Sequence, residues 1–482
     1  MTDLVLTNLI GGKLAAPVQS RYLDVYEPAA GSVYARCPDS DAADVAAAIA
    51  AAQAAAPAWA ATPAAERARL MHRLADRVEA RLDEYAQAES RDSGKPVALA
   101  RTVDIPRAVA NLRFFAAAIT QWASEAHAME DRAINYTLRQ PLGVVGCISP
   151  WNLPLYLFSW KIAPALATGN AVLAKPSEVT PLTAWMLAQD SIEAGLPAGV
   201  LNIVHGGGGA GQAIVDAPAV KAISFTGSTR VGADIAARAA ATFKKTSLEL
   251  GGKNASIVFA DWDASDTNLD TLIRSAFANQ GQICLCGSRI LVERRIYAQF
   301  RDRFVARAKA LRVGDPRDAA SDLGAIVSKP HYDKILGCIA LAREEGGAVL
   351  AGGEAVHISG RCADGWFIAP TVIDGLGPAC RTNQEEIFGP VVTLQPFDGD
   401  DEALALANAT GYGLAASVWT RDLTRAHTFA AKLEAGIVWI NCWMLRDLRT
   451  PFGGVKNSGV GREGGVEALR FFTDAKNICV QL

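Results

Sequence analysis

The sequence predicts an α/β protein of two large lobes, and three observations carry that expectation. At 482 residues the chain exceeds what one ordinary hydrophobic core serves. From Gly143 onward, short apolar runs alternate with helical stretches, the pattern of a parallel sheet joined by right-handed crossovers. A second alternating series, from about Asn254 to Trp439, calls for another α/β lobe.

Taken in order, Asp41 to about Ala126 reads as helices. Ala64 to Glu89 places Leu70, Leu74, Val78, Leu82 and Tyr85 at steps of three or four, one apolar helix face. The Ala-rich stretch from Ala42 to Ala61 is interrupted by Asp44, Gln53 and Pro57, and reads as a helix lying against a lobe. Val144 to Ile148 is the first strand of the alternating series, followed by a helix through Trp160 and Leu166. Asn170 to Lys175 is the next strand, and a helix opens at Thr180-Pro181. Val200 to Val204, Ala222 to Phe225 and Thr246 to Leu250 complete five runs, which suit a nucleotide-binding lobe. Phe471 to Leu482 reads as an edge strand, with Ala133 to Leu138 as its partner. Neither an internal repeat nor a low-complexity linker interrupts the chain.

Composition narrows the function. Hydrophobic residues make up 50% and charged residues 20%, the balance of a soluble globular protein. A formal charge of −3 with no basic tail argues against a nucleic-acid partner. Met1 to Leu6 lacks the basic start and apolar core of a signal peptide, and no apolar run is long enough for a bilayer, so no membrane partner is expected. Nine scattered cysteines without a Cys-x-x-Cys pair, and six histidines without a cluster, point to reduced thiols in a cytoplasm and to no metal site.

Four kinds of signal carry residue types suited to chemistry, the last spread over two stretches. In Gly281-Gln282-Ile283-Cys284-Leu285-Cys286-Gly287-Ser288, a thiol near a loop-to-helix transition can be activated by local N–H groups. Both cysteines equally fit small hydrophobes in a core. In Leu248-Glu249-Leu250-Gly251-Gly252, an acid between two leucines is poorly solvated and suits a general base, unless it sits in water on a surface loop. Pro150-Trp151-Asn152-Leu153-Pro154 is a proline-braced loop that could hold the Asn152 amide as an oxyanion donor, or simply a rigid turn around a packed Trp.

The fourth signal concerns a cofactor. No Gly-x-Gly-x-x-Gly follows the first strand; glycines appear instead at Phe225-Thr226-Gly227-Ser228-Thr229-Arg230-Val231-Gly232, entering a helix, where exposed N–H groups suit a pyrophosphate. Gly206 to Gly209 reads as a flexible turn. Lys175-Pro176-Ser177-Glu178 offers an acid for ribose hydroxyls, which would repel a 2′-phosphate and so points to NAD; a plain helix-start charge is the alternative.

The order of these stretches is specific. Pro-Trp-Asn, Lys-Pro-Ser-Glu, Phe-Thr-Gly-Ser, Leu-Glu-Leu-Gly-Gly-Lys, Gly-Gln-x-Cys, Glu-Glu-Ile-Phe-Gly-Pro and Pro-Phe-Gly-Gly follow one another, and the chain resembles the aldehyde dehydrogenase superfamily over essentially its full length. The resemblance implies that Cys284 is the nucleophile, Glu249 the general base, and Asn152 with the Cys284 N–H the oxyanion hole; Cys286 matches no catalytic position. It implies cofactor contacts from Ile148, Trp151, Lys175, Glu178, Gly227, Ser228, Leu250, Glu386 and Phe388, with NAD as the cofactor. The implied fold is a Rossmann-like NAD-binding lobe (residues 1–122 and 143–249), an α/β catalytic lobe (250–450) and bridging strands (123–142 and 468–482) that join subunits into a dimer or tetramer. Retention of Glu249 implies a free acid product.

A narrower resemblance lies in Asn441 to Thr450, Ile105-Pro106-Arg107 and the run Pro150 to Lys161, which are similar to the 2-hydroxymuconate and 2-aminomuconate semialdehyde dehydrogenases. It implies an acidic aldehyde as the small-molecule substrate, held by Arg107 and Arg446 with Trp160 beside them. An arginine fork suits a carboxylate; a surface or interface ion pair is the plainer alternative. A general or amino-aldehyde dehydrogenase, or a catalytically silent family member, are the competing readings.

Overall fold

The computed structural model describes residues 4–482. Met1, Thr2 and Asp3, the start of the segment read above for a leader, lie outside the described residues.

The five apolar runs after Gly143 form the parallel centre of an eight-stranded sheet. Its order is Gly459–Val460, Lys245–Glu249, Val220–Thr226, Val144–Ile148, Ala171–Lys175, Leu201–Ile203, Asn8–Ile10, Lys13–Ala15. The central strands are buried on both faces, which is why they read as continuous apolar runs. Helix Ala42–Ala61 packs on one face through Val45, Ala48, Ala52 and Ala56, and helix Pro154–Ala167, buried along its whole length, lies on the other. Strand order reverses beside Val144–Ile148, whose sequence successor pairs on one side and Val220–Thr226 on the other. Ligand crevices form at the carboxyl ends of strands at such a switch point. The register aligns those ends: Ile148 lies opposite Lys175 and Phe225, and Thr226 opposite Glu249.

A second, seven-stranded sheet runs Ala348–Ala351, Thr371–Asp374, Val391–Phe397, Arg289–Glu293, Ala255–Val258, Ala415–Trp419, Ile437–Ile440, parallel except for its first strand. Thr473–Gln481 pairs antiparallel with Ala133–Pro141 from Thr473↔Pro141 to Gln481↔Ala133, and Ala126–Met129 completes that three-stranded sheet.

The helical segment departs from its apolar stripe in two places. The face read through Leu82 and Tyr85 belongs to two helices, Ala64–Ala80 and Leu82–Ser93, broken at Arg81 (φ −110°, ψ 24°). There Arg81 and Tyr85 both reach the buried carboxylate of Asp190, at 3.0 and 2.6 Å, a long-range contact that periodicity does not encode. Further on, Ala100–Asp104 is a π-helical turn before helix Ile105–Gln121. Pro106 has no N–H to offer the preceding turn, and such bulges gather at functional sites. A small sheet of Leu4–Val5, Ser32–Pro38 and Tyr22–Glu27 lies outside the elements read from the sequence. Among the described residues no single helix is long and apolar enough to cross a membrane.

Candidate active site

The cysteine loop follows helix Asp266–Phe277 through three successive left-handed residues, Asn279 (φ 53°), Gln280 (φ 56°) and Gly281 (φ 69°). Such backbone is costly for residues with side chains and persists only when neighbours fix it. Here Asn279 Nδ2 donates to the carbonyls of Asn152 (3.0 Å) and Gln282 (3.2 Å), and Gln280 Nε2 donates to that of Ala325 (2.9 Å). Gly281 is required, because a Cβ there would run into the Gly389 carbonyl. The turn leaves Cys284 half-buried on a cavity wall, while Cys286 is buried in the apolar cluster behind it. Burial raises the Cys286 thiol to about 12. The Cys284 thiol is also raised, by burial first and then by the charges of Glu249 and Glu386. A resting thiol in that position is neutral and needs a base.

Asn152 is clamped against this loop. Its Nδ2 donates one hydrogen to the Gln282 carbonyl (2.9 Å), and its own carbonyl accepts from Asn279 and from Lys95 Nζ (3.1 Å). Lys95 is fully buried and held by Asp104 of the π-turn at 2.5 Å. One amide hydrogen of Asn152 therefore remains for a ligand.

Glu249 ends its strand with both carboxylate oxygens buried and without a hydrogen-bond partner among the described residues. Gly453 lies against it, where a Cβ would sit 2.7 Å from Oε1. Desolvation raises its pKa well above the usual carboxylate value, and Glu463 adds to the rise. Lys161 Nζ donates to Glu463 Oε1 (2.7 Å) and to Ser224 Oγ (3.1 Å), and its charge opposes that rise.

Two cavities adjoin one another beside this loop and sheet edge. One, of about 180 Å³, is lined by Trp151, Asn152, Gly227, Ser228, Leu250, Cys284, Glu386 and Phe388, together with His331 and Lys334. Glu386 Oε1 accepts from the Gly252 N–H at 2.8 Å, and burial raises its pKa. The Phe388 carbonyl is 2.7 Å from His331 Nε2, and its ring meets Trp151 edge-on. The second, of about 490 Å³, shares Trp151, Gly227 and Ser228 and continues along Ile148, Lys175 and Glu178 to Gly208 and Gly211. Lys175 Nζ donates to Glu178 Oε2 at 3.2 Å.

This cleft fits a dinucleotide. The hydroxyls of Ser149 and Thr226 on its wall are buried and lack partners among the described residues. Two helices open onto it, Gly208–Asp216 and Thr229–Ala240, the latter capped by Ser228, and their free N–H groups suit phosphate. The Gly206 to Gly209 stretch, expected as a flexible turn, instead starts the first of these helices, with Gly207 at the cap. Gly208 and Gly211 line the cleft, and nothing stands within 4 Å of where a Cβ would lie at Gly208.

Arg107, Trp160 and Arg446 form a third group. The Arg107 and Arg446 guanidinium carbons lie 5.7 and 5.2 Å from the Trp160 ring centre, and Arg446 sits 3.9 Å from that of Phe452. The Arg446 charge opposes the rise in pKa of both Cys284 and Glu249, so this group shares the electrostatics of those two residues. Burial and the neighbouring Arg446 charge both work against the Arg107 cation. Arg446 follows two left-handed residues, Asn441 (φ 53°) and Met444 (φ 60°).

The sequence reading passed over Lys95, Asp104, Tyr156, Lys161, Asn279 and Glu463. For Lys161 a signal was present, since it is the lone charge in the otherwise apolar helix Pro154–Ala167. The others are ordinary polar residues whose importance arises only from contacts distant in sequence.

Comparison with known proteins follows the same outline. The model of the aldehyde dehydrogenase family matches residues 16–478. The chain is 50% identical over 485 residues to a 2-aminomuconic semialdehyde dehydrogenase of Danio rerio, covering 100% of this chain and 99% of that one. It is 47% identical over 484 residues to a 2-hydroxymuconic semialdehyde dehydrogenase of Pseudomonas sp. (strain CF600), covering 99% of each. A crystal structure of PnpE in complex with nicotinamide adenine dinucleotide superposes with a TM-score of 0.96 at 42% identity, covering 100% of this chain and 98% of that one.

Proposed function

The chain belongs to the aldehyde dehydrogenase family, and from that premise we propose that it oxidises an acidic semialdehyde of the muconic type to the dicarboxylic acid with NAD. It is an NAD-dependent oxidoreductase acting on aldehydes. The observation that carries the substrate assignment is the pair Arg107 and Arg446. Each is half-buried, and their hydrogen bonds go to the neutral groups Asn111 and Tyr156. The Asp447 charge reaches Arg107, but neither arginine makes an ion pair among the described residues, so both forks can take a ligand's carboxylate.

Cys284 adds to the aldehyde carbon after losing its proton to a base. The free hydrogen of Asn152 Nδ2 and the Cys284 N–H receive the oxyanion that develops, acting from a fixed amide that needs no reorganisation. NAD, when bound, supplies the hydride acceptor. Ile148, Trp151, Lys175, Glu178, Gly227, Ser228 and Leu250 are the residues that would hold it, with Glu386 and Phe388 at the end nearest Cys284. The thioester left on Sγ is hydrolysed by water that gives its proton to Glu249, whose pKa, raised by burial, makes it a stronger base than an exposed glutamate and whose oxygens have no partner among the described residues. Glu249 takes no hydrogen bond that would compete with that water.

In this reading residues 1–122 and 143–249 form the cofactor lobe, 250–450 the catalytic lobe, and 123–142 with 468–482 a bridge between subunits. Exposed Met129, Ile134, Leu138 and Val480 on the three-stranded sheet support a homo-oligomer, a dimer or tetramer. Nine free cysteines fit a reducing cytoplasm. The test is steady-state NADH formation with 2-hydroxymuconic semialdehyde and with hexanal. A higher kcat/KM for the acidic aldehyde is expected; equal values return the protein to an aldehyde dehydrogenase of other specificity.

A further inference from the structure

Tyr156 stands between the two arginines, in the first turn of helix Pro154–Ala167 and only 3% exposed. Arg446 Nη1 donates to its hydroxyl at 3.2 Å, and the Arg107 guanidinium lies 5.2 Å from its ring centre. A phenol that accepts from a cation keeps its own proton to give. Among the described residues that proton has no protein acceptor; the hydroxyl's partner is a donor.

Two further donors of the same cluster are orphaned. Arg107 Nη2 and Trp160 Nε1 are both buried without a partner among the described residues. Buried donors without acceptors are rare and costly, and several in one cluster mark a place where an acceptor-rich ligand completes the structure. The cluster is also held in shape. Asn111, fully buried, accepts from Arg107 Nε at 3.1 Å and donates at 3.0 Å to both the Tyr156 carbonyl and Ser159 Oγ. That amide ties the arginine's inner nitrogen to the backbone of Tyr156 and leaves the outer nitrogens for a ligand.

We propose that the Tyr156 hydroxyl is a specificity-determining donor to the remote carboxylate of the aldehyde, alongside Arg107 and Arg446; this rests on the acidic-aldehyde reading above. A carboxylate accepts about four hydrogen bonds, and the Tyr156 hydroxyl can supply one of them beside the two guanidinium groups. An aldehyde ending in a methyl or an ammonium group leaves the phenol, the indole and both cations unsatisfied. Tyr156 thus adds rejection of non-acidic aldehydes as well as attraction of acidic ones.

The experiment compares wild type with Tyr156→Phe, which removes one oxygen and keeps the ring under Arg107. Adipic semialdehyde and hexanal, matched in chain length and differing in the terminal carboxylate, are assayed with saturating NAD by NADH formation. The ratio of their kcat/KM values should fall about ten-fold in Tyr156→Phe, the loss of one hydrogen bond to a charged group. Most of it should appear in KM for adipic semialdehyde, because the contact is remote from the reacting carbon. A wild type that prefers adipic semialdehyde, paired with a Tyr156→Phe ratio unchanged from it, overturns the Tyr156 assignment and spares the acidic-aldehyde reading. A loss shared equally by both aldehydes also overturns it, marking Tyr156 as structural. A wild type with no preference overturns both.

Discussion

Arg107→Ala and Arg446→Ala offer the most discriminating perturbation of the substrate assignment. A unit charge about 4 Å from a carboxylate, at the effective dielectric near a protein surface, is worth about 4 kcal/mol. Both arginines are half-buried, so water partly replaces a lost guanidinium and the net cost is smaller. A loss of about 2–3 kcal/mol follows, within the range seen when one partner of a charge pair is truncated. This corresponds to roughly two orders of magnitude in kcat/KM for adipic semialdehyde. The two variants differ instructively. Arg446 also opposes the rise in pKa of Cys284 and Glu249, so Arg446→Ala should slow hexanal oxidation too. Arg107 is not among the causes of either shift, so the acid-to-neutral ratio is cleanest in Arg107→Ala. The assay is NADH formation at fixed saturating NAD with each aldehyde. If Arg107→Ala depresses both aldehydes equally, the arginine is structural and the substrate assignment fails.

Other consequences follow from the same geometry. Cys284→Ala should abolish aldehyde oxidation while NAD binding, measured by calorimetry, survives; Cys286→Ala should keep most activity, since its thiol lies behind the cavity wall. Reversed results would show the register of the loop to be wrong. NAD should be preferred to NADP, because Glu178 would meet a 2′-phosphate with like charge, and Glu178→Gln should narrow the gap in kcat/KM between them; equal values in wild type would remove Glu178 from that role. Where hydrolysis of the thioester limits turnover, kcat should fall as pH drops through a value above the usual carboxylate range. Glu249 must be deprotonated to act, and burial with Glu463 nearby holds its proton on. An acid limb at or below an ordinary glutamate's would place the base elsewhere.

Much of this arrangement was legible because it rests on local patterns. The buried parallel strands announce themselves as apolar runs, and the cofactor cleft falls where Pro150 to Asn152 and Gly227-Ser228 leave adjacent strands, so ordered motifs lead to one place. The break at Arg81 was hidden because Asp190, more than a hundred residues away, accepts from Arg81. Gly206 to Gly209 reads as a turn because glycine disfavours helix, yet the helix at Gly208 is held by the sheet beneath it through Ala210 and Ile214. The support behind Asn152 escaped for a related reason. Asp104 closes a π-turn that no simple periodicity describes, Lys95 precedes that turn, and the contacts of Lys95 with Asp104 and with the Asn152 carbonyl are purely tertiary. Local rules located the groups read here as reacting; the residues that aim them depend on the fold.

The central claim is that oxidation proceeds through a thioester on Cys284 that Glu249 helps water to cleave. It is tested most directly by mixing Glu249→Gln with NAD and adipic semialdehyde, following NADH on the millisecond scale, and mapping the acid-quenched protein by peptide mass spectrometry. The account predicts a burst of NADH close to one per active site, then a stall, with the acyl mass on the peptide at Cys284. Undiminished steady-state turnover, or an acyl group on Cys286, would contradict it.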